Sequence, residues 1–239
     1  MLLTTMEYSW SNKIYIVYTG PHIITNGLVL ILDAASKRSY PGTGTTWTDL
    51  SGNSIDGTLT NGPTFSSGNG GSFLFDNNDD YVSLGASSQL SITNQMSVFS
   101  WVKIDSFTSW DGIFGTYSGG NFVHFQLYSG RINVYVYGPN AGYGSLDSGY
   151  DQLTAGEWSN VGFTFGSSVL TVYLNGVAMP TTVTGSTSNV SNTTEMSIGR
   201  AYSGDRDLGG YVATTDVYNR ALTATEVSQN YNALKNRFI

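Results

Sequence analysis

The densest group of acidic side chains in the sequence is Asp76-Asn-Asn-Asp79-Asp80. Closely spaced carboxylates offer the hard oxygens that suit Ca²⁺, which takes six to eight of them, or they form a solvated Asx-rich hairpin turn. The spacing is not that of an EF-hand loop, because the central Gly and the distal Glu are missing. Asp76, Asp79 and Asp80 are therefore candidate calcium ligands, with the plain turn as the alternative. Sugar binding makes a different demand. Aromatic faces stack on the C–H side of pyranose rings, while amides, carboxylates and guanidinium groups fix the hydroxyls. Three stretches mix these residue types: 106–120 with Trp110, Asp111 and Tyr117, 138–150 with Asn140 and Tyr143, and 200–210 with Tyr202, Asp205 and Arg206. Brought to one rim they would make a glycan-sized patch. As part of an ordinary β surface, in a chain with 16 tyrosines, they would make none.

Catalytic machinery is hard to assemble from this sequence. A retaining glycosidase needs two carboxylates about 5–5.5 Å apart, and the chain has only four glutamates, Glu7, Glu157, Glu195 and Glu226, scattered along its length. Asp205 and Asp207 flank Arg206 as the nearest approach to a pair, and a salt-bridged surface loop explains them better. There are two histidines, His22 and His124, no Gly-x-Ser-x-Gly elbow and no phosphate-binding Gly-rich loop. His124 sits inside FVHFQL, where it lines a strand face. With no cysteine there is neither a thiol nucleophile nor a disulfide framework. The expectation is a protein that is not an enzyme.

Charge narrows the partners. Ten Lys and Arg against 17 Asp and Glu give a net charge of −7, which offers no basic field to nucleic acid and would be repelled by an anionic bilayer. No window approaches 18 apolar residues, and the first twenty residues carry neither a basic n-region nor a small-residue cleavage site, so neither a membrane span nor a standard secretion signal is expected.

The elements that must position these residues are strands. Charged residues are only 11% of the chain, whereas Ser, Thr, Asn and Gly fill 105 of its 239 positions. Such residues are poor helix formers that suit turns and exposed strand faces. Apolar or alternating runs recur at 13–19, 28–33, 72–76, 96–105, 121–129, 131–137, 158–165, 169–174 and 196–199, with turn residues between them and no βαβ spacing, which predicts an antiparallel sandwich or barrel. In Arg131 to Tyr137, alternation puts Ile132, Val134 and Val136 on a core face and Asn133, Tyr135 and Tyr137 toward water. Ser129-Gly130 and Asn175-Gly176 mark hairpins, the second as a type I′ turn. One short helix is expected near the C-terminus: Thr223 and Glu226 have capping-box spacing, and Val227, Tyr231 and Leu234 form one stripe. Residues 1–25 stand apart as an N-terminal extension, either an extra edge strand or a docking arm, ahead of a single domain over 26–239.

Several phrases then come together: Gly27-Leu-Val-Leu-Ile-Leu-Asp33, Tyr40-Pro-Gly-Thr-Gly-Thr-Thr-Trp47-Thr-Asp49-Leu-Ser-Gly52-Asn53, Gly57-Thr-Leu-Thr-Asn-Gly-Pro63, Phe75 to Val82, and Tyr218-Asn219-Arg220-Ala221-Leu222. From about residue 21 to the C-terminus the chain resembles the laminin-G-like, concanavalin-A-like jelly-roll family, and most of all the branch found in bacteriophage virion structural proteins, as fibre, tail or capsid-decoration components. The resemblance implies an all-β, two-sheet antiparallel jelly-roll sandwich and a non-catalytic virion protein. It also implies other virion proteins as partners, a homo-oligomer, and polysaccharide as a ligand. A bacterial or secreted carbohydrate-binding module is the alternative. Relatives often hold a structural calcium, some through acids just before the Tyr-Asn-Arg phrase, where this chain has Ala213 and Thr214. Family glycosidases carry Glu-x-Asp-x-x-Glu on one strand, which this chain lacks. Within the phrases, Trp47 is expected to anchor a long loop, Asp49 and Asn53 to bond nearby amides, and Arg220 to pair with a carboxylate or with carbonyls.

Overall fold

A computed structural model of the chain describes residues 6–10, 13–17, 21–90, 95–107, 110–116, 122–137, 144–147, 153–167, 169–180, 182–184, 195–201 and 206–239. In chain order the first strands are β1 (Met6–Trp10), β2 (Lys13–Val17), β3 (Leu28–Asp33), β4 (Thr46–Trp47), β5 (Gly57–Thr60), β6 (Thr64–Ser66), β7 (Ser72–Asp76), β8 (Tyr81–Gly85) and β9 (Gln95–Ile104). They are followed by β10 (Trp110–Thr116), β11 (Phe122–Tyr128), β12 (Arg131–Tyr137), β13 (Gly144–Asp147), β14 (Trp158–Gly166) and β15 (Val169–Leu174). The last are β16 (Val177–Ala178), β17 (Thr182–Thr184), β18 (Met196–Ile198) and β19 (Gly209–Tyr218), followed by α1 (Ala224–Leu234), the one α-helix among the described residues. Among the described residues no helix is long and apolar enough to cross a membrane.

Two antiparallel sheets form the sandwich. One has the order β17-β13-β12-β11-β10-β18-β8-β5-β4, the other β16-β15-β14-β9-β19-β7-β6, with β3 also paired to β19. The jelly-roll expectation holds. Alternation explains the packing: Val123, Phe125 and Leu127 of β11, Ile132, Val134 and Val136 of β12, and Val161 and Phe163 of β14 are all fully buried between the sheets. β1 and β2 pair antiparallel as a separate two-stranded sheet, with Met6 opposite Val17.

Both expected hairpins close as predicted. Ser129 and Gly130 have φ of 48° and 78°, and Asn175 and Gly176 have 50° and 77°, the left-handed pair that a type I′ turn requires. The long loop before β5 is held as its residues suggested. Trp47 is fully buried, with its ring 4.8 Å from Phe73. Asp49 accepts the amides of Ile31 at 3.0 Å and Ser51 at 2.9 Å, while Asn53 Nδ2 donates to Val29 O at 2.9 Å.

The helix starts at Thr223, whose hydroxyl accepts the Glu226 amide while Glu226 accepts the Thr223 amide. Arg220 meets both kinds of partner expected of it. Its Nη2 donates to Glu226 Oε1 at 2.6 Å and its Nε to the carbonyl of Asn26 at 2.9 Å. α1 lies against the outer face of the second sheet, where Trp101 stacks on Phe238 at 4.2 Å and on Tyr231 at 5.6 Å. The incoming chain is tied to the same helix: Asn230 accepts the amide of Ile24, and Gln229 donates to the carbonyl of His22.

Candidate functional site

The outer face of the first sheet carries a group of polar and aromatic side chains across β10, β11 and β12. Register sets it up in rows, since residues opposite one another on antiparallel strands share a face. Trp110 pairs with Tyr128, which pairs with Arg131; Gly112 pairs with Gln126, which pairs with Asn133; and Gly115 pairs with His124, which pairs with Tyr135. The Trp110 and Tyr128 rings lie 4.4 Å apart. Gln126 Nε2 donates to Asn133 Oδ1 at 3.1 Å.

The segment after β18 completes the group. It folds back over β10 through the bridge between Arg200 and Asp207, and the Gly112 amide donates to the carbonyl of Arg206 at 3.1 Å. Glycine at 112 is what allows this approach, because a Cβ there would overlap the Arg206 carbonyl oxygen and the Ala201 amide nitrogen. Arg206 is thereby laid flat on the sheet. Its guanidinium carbon sits 4.2 Å from the centroid of the Trp110 ring, and its Nη1 donates to Gln126 Oε1 at 2.8 Å.

Burial within the group is uneven. Tyr128 is 38% exposed and Trp110 partly exposed, whereas Gln126, Asn133 and His124 are buried. The expectation that Asn133 faces water is thus corrected, because the returning segment and its neighbours cover the middle of the sheet face. Burial, and then the nearby Arg206 charge, lower the His124 pKa to about 4, so its imidazole is neutral at pH 7. The exposed edge of the site combines an aromatic surface with a guanidinium backed by amides, groups that can stack on ring C–H faces and donate to hydroxyls.

Of the residues singled out in the sequence, Trp110 lies in this group and Arg206 beside it. Asp111 is only 2% exposed, and its Oδ1 accepts the Gly209 amide at 3.3 Å. Burial raises its pKa to about 6. It ties β10 to the start of β19 from inside the sandwich. Tyr117, Asn140, Tyr143, Tyr202 and Asp205 lie outside the described residues. The sequence reading missed Tyr128, Gln126 and Asn133 as members of the site. The signal was there in the polar alternation of HFQLY, which marks one face of β11 as unlike a core face.

Asp76, Asp79 and Asp80 do converge, with one carboxylate oxygen of each within 4.8 Å of the others, where the chain passes from one sheet to the other between β7 and β8. Much of their capacity is spent locally: Asp76 Oδ1 accepts the amides of Asn78 and Asp79, and Asp80 Oδ2 accepts the amide of Asp76. Burial and then the Asp76 charge raise the pKa of Asp80. With one oxygen each, the three carboxylates would supply three of the six to eight oxygens that calcium takes. These bonds form a local turn of the Asx kind, and a calcium bound through one oxygen of each carboxylate would draw on carbonyls and water for the rest.

Comparison with known proteins bears on the fold. Residues 76–228 match the laminin-G family described as the Concanavalin A-like lectin/glucanases superfamily. No curated protein matches. Among solved structures, the chain is similar to domain 4 of AbnA, a GH43 extracellular arabinanase from Geobacillus stearothermophilus, in complex with arabinotriose: 18% identity, a TM-score of 0.68, and coverage of 85% of this chain and 98% of that one. The binding domain of Paraclostridial Mosquitocidal Protein 1 is 13% identical with a TM-score of 0.70, over 87% of this chain and 52% of that one. The botulinum neurotoxin serotype D ligand binding domain in complex with N-acetylneuraminic acid is 14% identical with a TM-score of 0.68, over 88% and 52%. The chain therefore spans about half the length of the two toxin domains. Since the family match extends over more than half of the sequence and the two-sheet sandwich agrees with it, this chain belongs to the Concanavalin A-like lectin/glucanases superfamily.

Proposed function

We propose that the chain is a non-catalytic structural component of a bacteriophage virion, attached to capsid or tail, whose outward-facing lectin-like domain binds host or environmental polysaccharide. The observation that carries the binding part is the Arg206 guanidinium, held 4.2 Å above Trp110 and bonded to Gln126 beside the exposed Tyr128. The exposed Tyr128 ring offers a pyranose an aromatic surface, and the half-buried Arg206 guanidinium, oriented by the buried Gln126, offers its hydroxyls a fixed donor. Two similar structures, the arabinanase domain and the serotype D toxin domain, hold a saccharide, which supports a glycan as the class of ligand. The virion part is supported by the phrase set running from Tyr40 to Asn53 and through Tyr218 to Leu222, and residues 1–25 supply the arm by which the domain would attach and self-associate.

A carbohydrate-binding module within a larger secreted enzyme is the second reading, favoured by the near-complete overlap with the arabinanase domain. One experiment tests the site common to both. The purified chain is run on a glycan array beside Trp110→Ala and Tyr128→Ala. Saturable binding that weakens about tenfold or more in each variant is expected, the loss of roughly 1.4 kcal/mol that one aromatic contact represents. Binding unaffected by both substitutions, or absent from the parent, refutes it. Mass analysis of purified particles separates the readings, since only the virion reading places the chain there.

A further inference from the structure

A cavity of about 260 Å³ lies outside the two sheets, beside α1 and away from the Trp110 face. Its floor is the outer face of β3 and β19. Asp33 pairs with Thr214 and Ile31 with Asp216, so these four alternate residues point the same way, and all of them line the cavity. Pro21, His22 and Ile23 close one side, Ala233 and Leu234 another. The wall is preformed, because the hydrogen bonds from Gln229 to the His22 carbonyl and from the Ile24 amide to Asn230 fasten residues 22–24 to the helix.

Asp216 is the anomaly. It is 4% exposed, and its Oδ1 has no hydrogen-bond partner. A buried carboxyl oxygen left unbonded is costly, and nothing in strand pairing or helix capping requires an acid at this position. Its neighbour Asp33 is satisfied on one side only. Asp33 Oδ1 accepts Arg237 Nη1 at 2.9 Å and the Ala35 amide at 2.9 Å. Arg237 is bonded to Asp33, and Asp216 is in no ion pair among the described residues, so when Asp216 is ionised the cavity carries a negative charge that a neutral polyol would not balance. A divalent ion fits poorly as well: the ligating atoms of His22, Asp33 and Asp216 do not gather within 4.8 Å, as those of the Asp76 cluster do, and calcium needs its oxygens at roughly 2.3–2.6 Å from one centre. A primary ammonium group has three N–H donors that can reach separate acceptors at ordinary hydrogen-bond length, and it carries an apolar stem that suits Ile23, Ile31 and Leu234. At about 30 Å³ per water-sized group, the space takes a ligand of roughly eight heavy atoms.

We propose that this cavity is a binding site for a small primary amine, with the ammonium group on Asp216 and Asp33 and the stem against Ile31 and Leu234. The test is a titration of the isotope-labelled full chain with n-butylammonium chloride, read by backbone amide shifts, beside sodium chloride at matched ionic strength, calcium chloride and n-butanol. Saturable shifts at 31–33 and 214–216 with the amine alone are expected. They should vanish in Asp216→Asn, and also in Leu234→Trp, which fills the space from the helix side and leaves the acid in place; circular dichroism checks that both variants fold. The proposal is overturned if the parent shows no saturable shift, if the shifts survive in Asp216→Asn, or if calcium or n-butanol reproduces them.

Discussion

Replacing Asp216 by Asn should make the protein more stable at neutral pH, and the size of the gain can be worked out from the burial of this one carboxyl. Asp216 is shielded from water on β19, and burial, followed by the charge of Asp33, pushes its pKa up from 3.8 to about 7. Below pH 3.8 the group is protonated in both the folded and the unfolded chain and contributes no pH dependence. Between 3.8 and 7 the unfolded chain releases the proton while the folded chain keeps it, so stability falls as pH rises; above 7 the penalty is complete. At about 1.36 kcal/mol per pH unit the accumulated cost is on the order of 4 kcal/mol. Asn keeps the shape and the unpaired polar atoms of the protonated acid but cannot ionise, so it removes the pH-dependent part and little else. Urea unfolding followed by tryptophan fluorescence at pH 4 and pH 8 measures this directly. The variant should gain roughly 2–4 kcal/mol over the parent between those two pH values, equivalent to roughly 10 °C in melting temperature for a chain of this length. A difference between parent and variant that stays constant from pH 4 to pH 8 refutes the reasoning, since Asp111 and His124 titrate alike in both proteins and cancel. The same substitution should abolish amine binding, so stability and the proposed ligand would pull this residue in opposite directions.

Gly112→Ala places a methyl group against backbone atoms of Ala201 and Arg206, and should cost about 1–3 kcal/mol while lifting Arg206 off Trp110; glycan retention should drop with the far-UV circular dichroism unchanged. Glu226→Gln keeps an oxygen for the capping box but removes the charge that pairs with Arg220, a loss of up to about 1 kcal/mol at pH 7 after allowing for solvent at this partly exposed pair. The hydrogen bond from Arg220 is the main cause that lowers the Glu226 pKa to about 2, so its contribution is present above about 4.5 and is lost as pH falls through about 2; guanidinium melts across that range should show parent and variant converging. At the Asp76 cluster, a millimolar excess of calcium or of chelator should leave the melting temperature unchanged, and a calcium-dependent rise that disappears in Asp79→Asn would show that the turn holds a metal.

The sequence by itself determined the parts of this protein that depend on near neighbours along the chain. Alternation of period two placed Val123, Phe125 and Leu127 inward, because successive side chains leave a strand on opposite faces. Asn175-Gly176 specified its own turn, because both residues accept positive φ, and Thr223 with Glu226 specified where the helix begins. The calcium-or-turn question at Asp76 was also posed locally. The two sites were decided elsewhere. Arg206 reaches Gln126 across 80 positions of sequence because the returning segment crosses β10 at a glycine, and no local pattern reports that crossing. Asp33 and Asp216 look like ordinary strand acids in the sequence; they become neighbours only when β3 pairs with β19, and Asp216 becomes buried only when α1 and residues 21–23 close over that face. Periodicity records which side of its own strand a residue occupies, whereas charge, burial and partners depend on which distant strand arrives beside it, and that is settled by the register of the whole sheet.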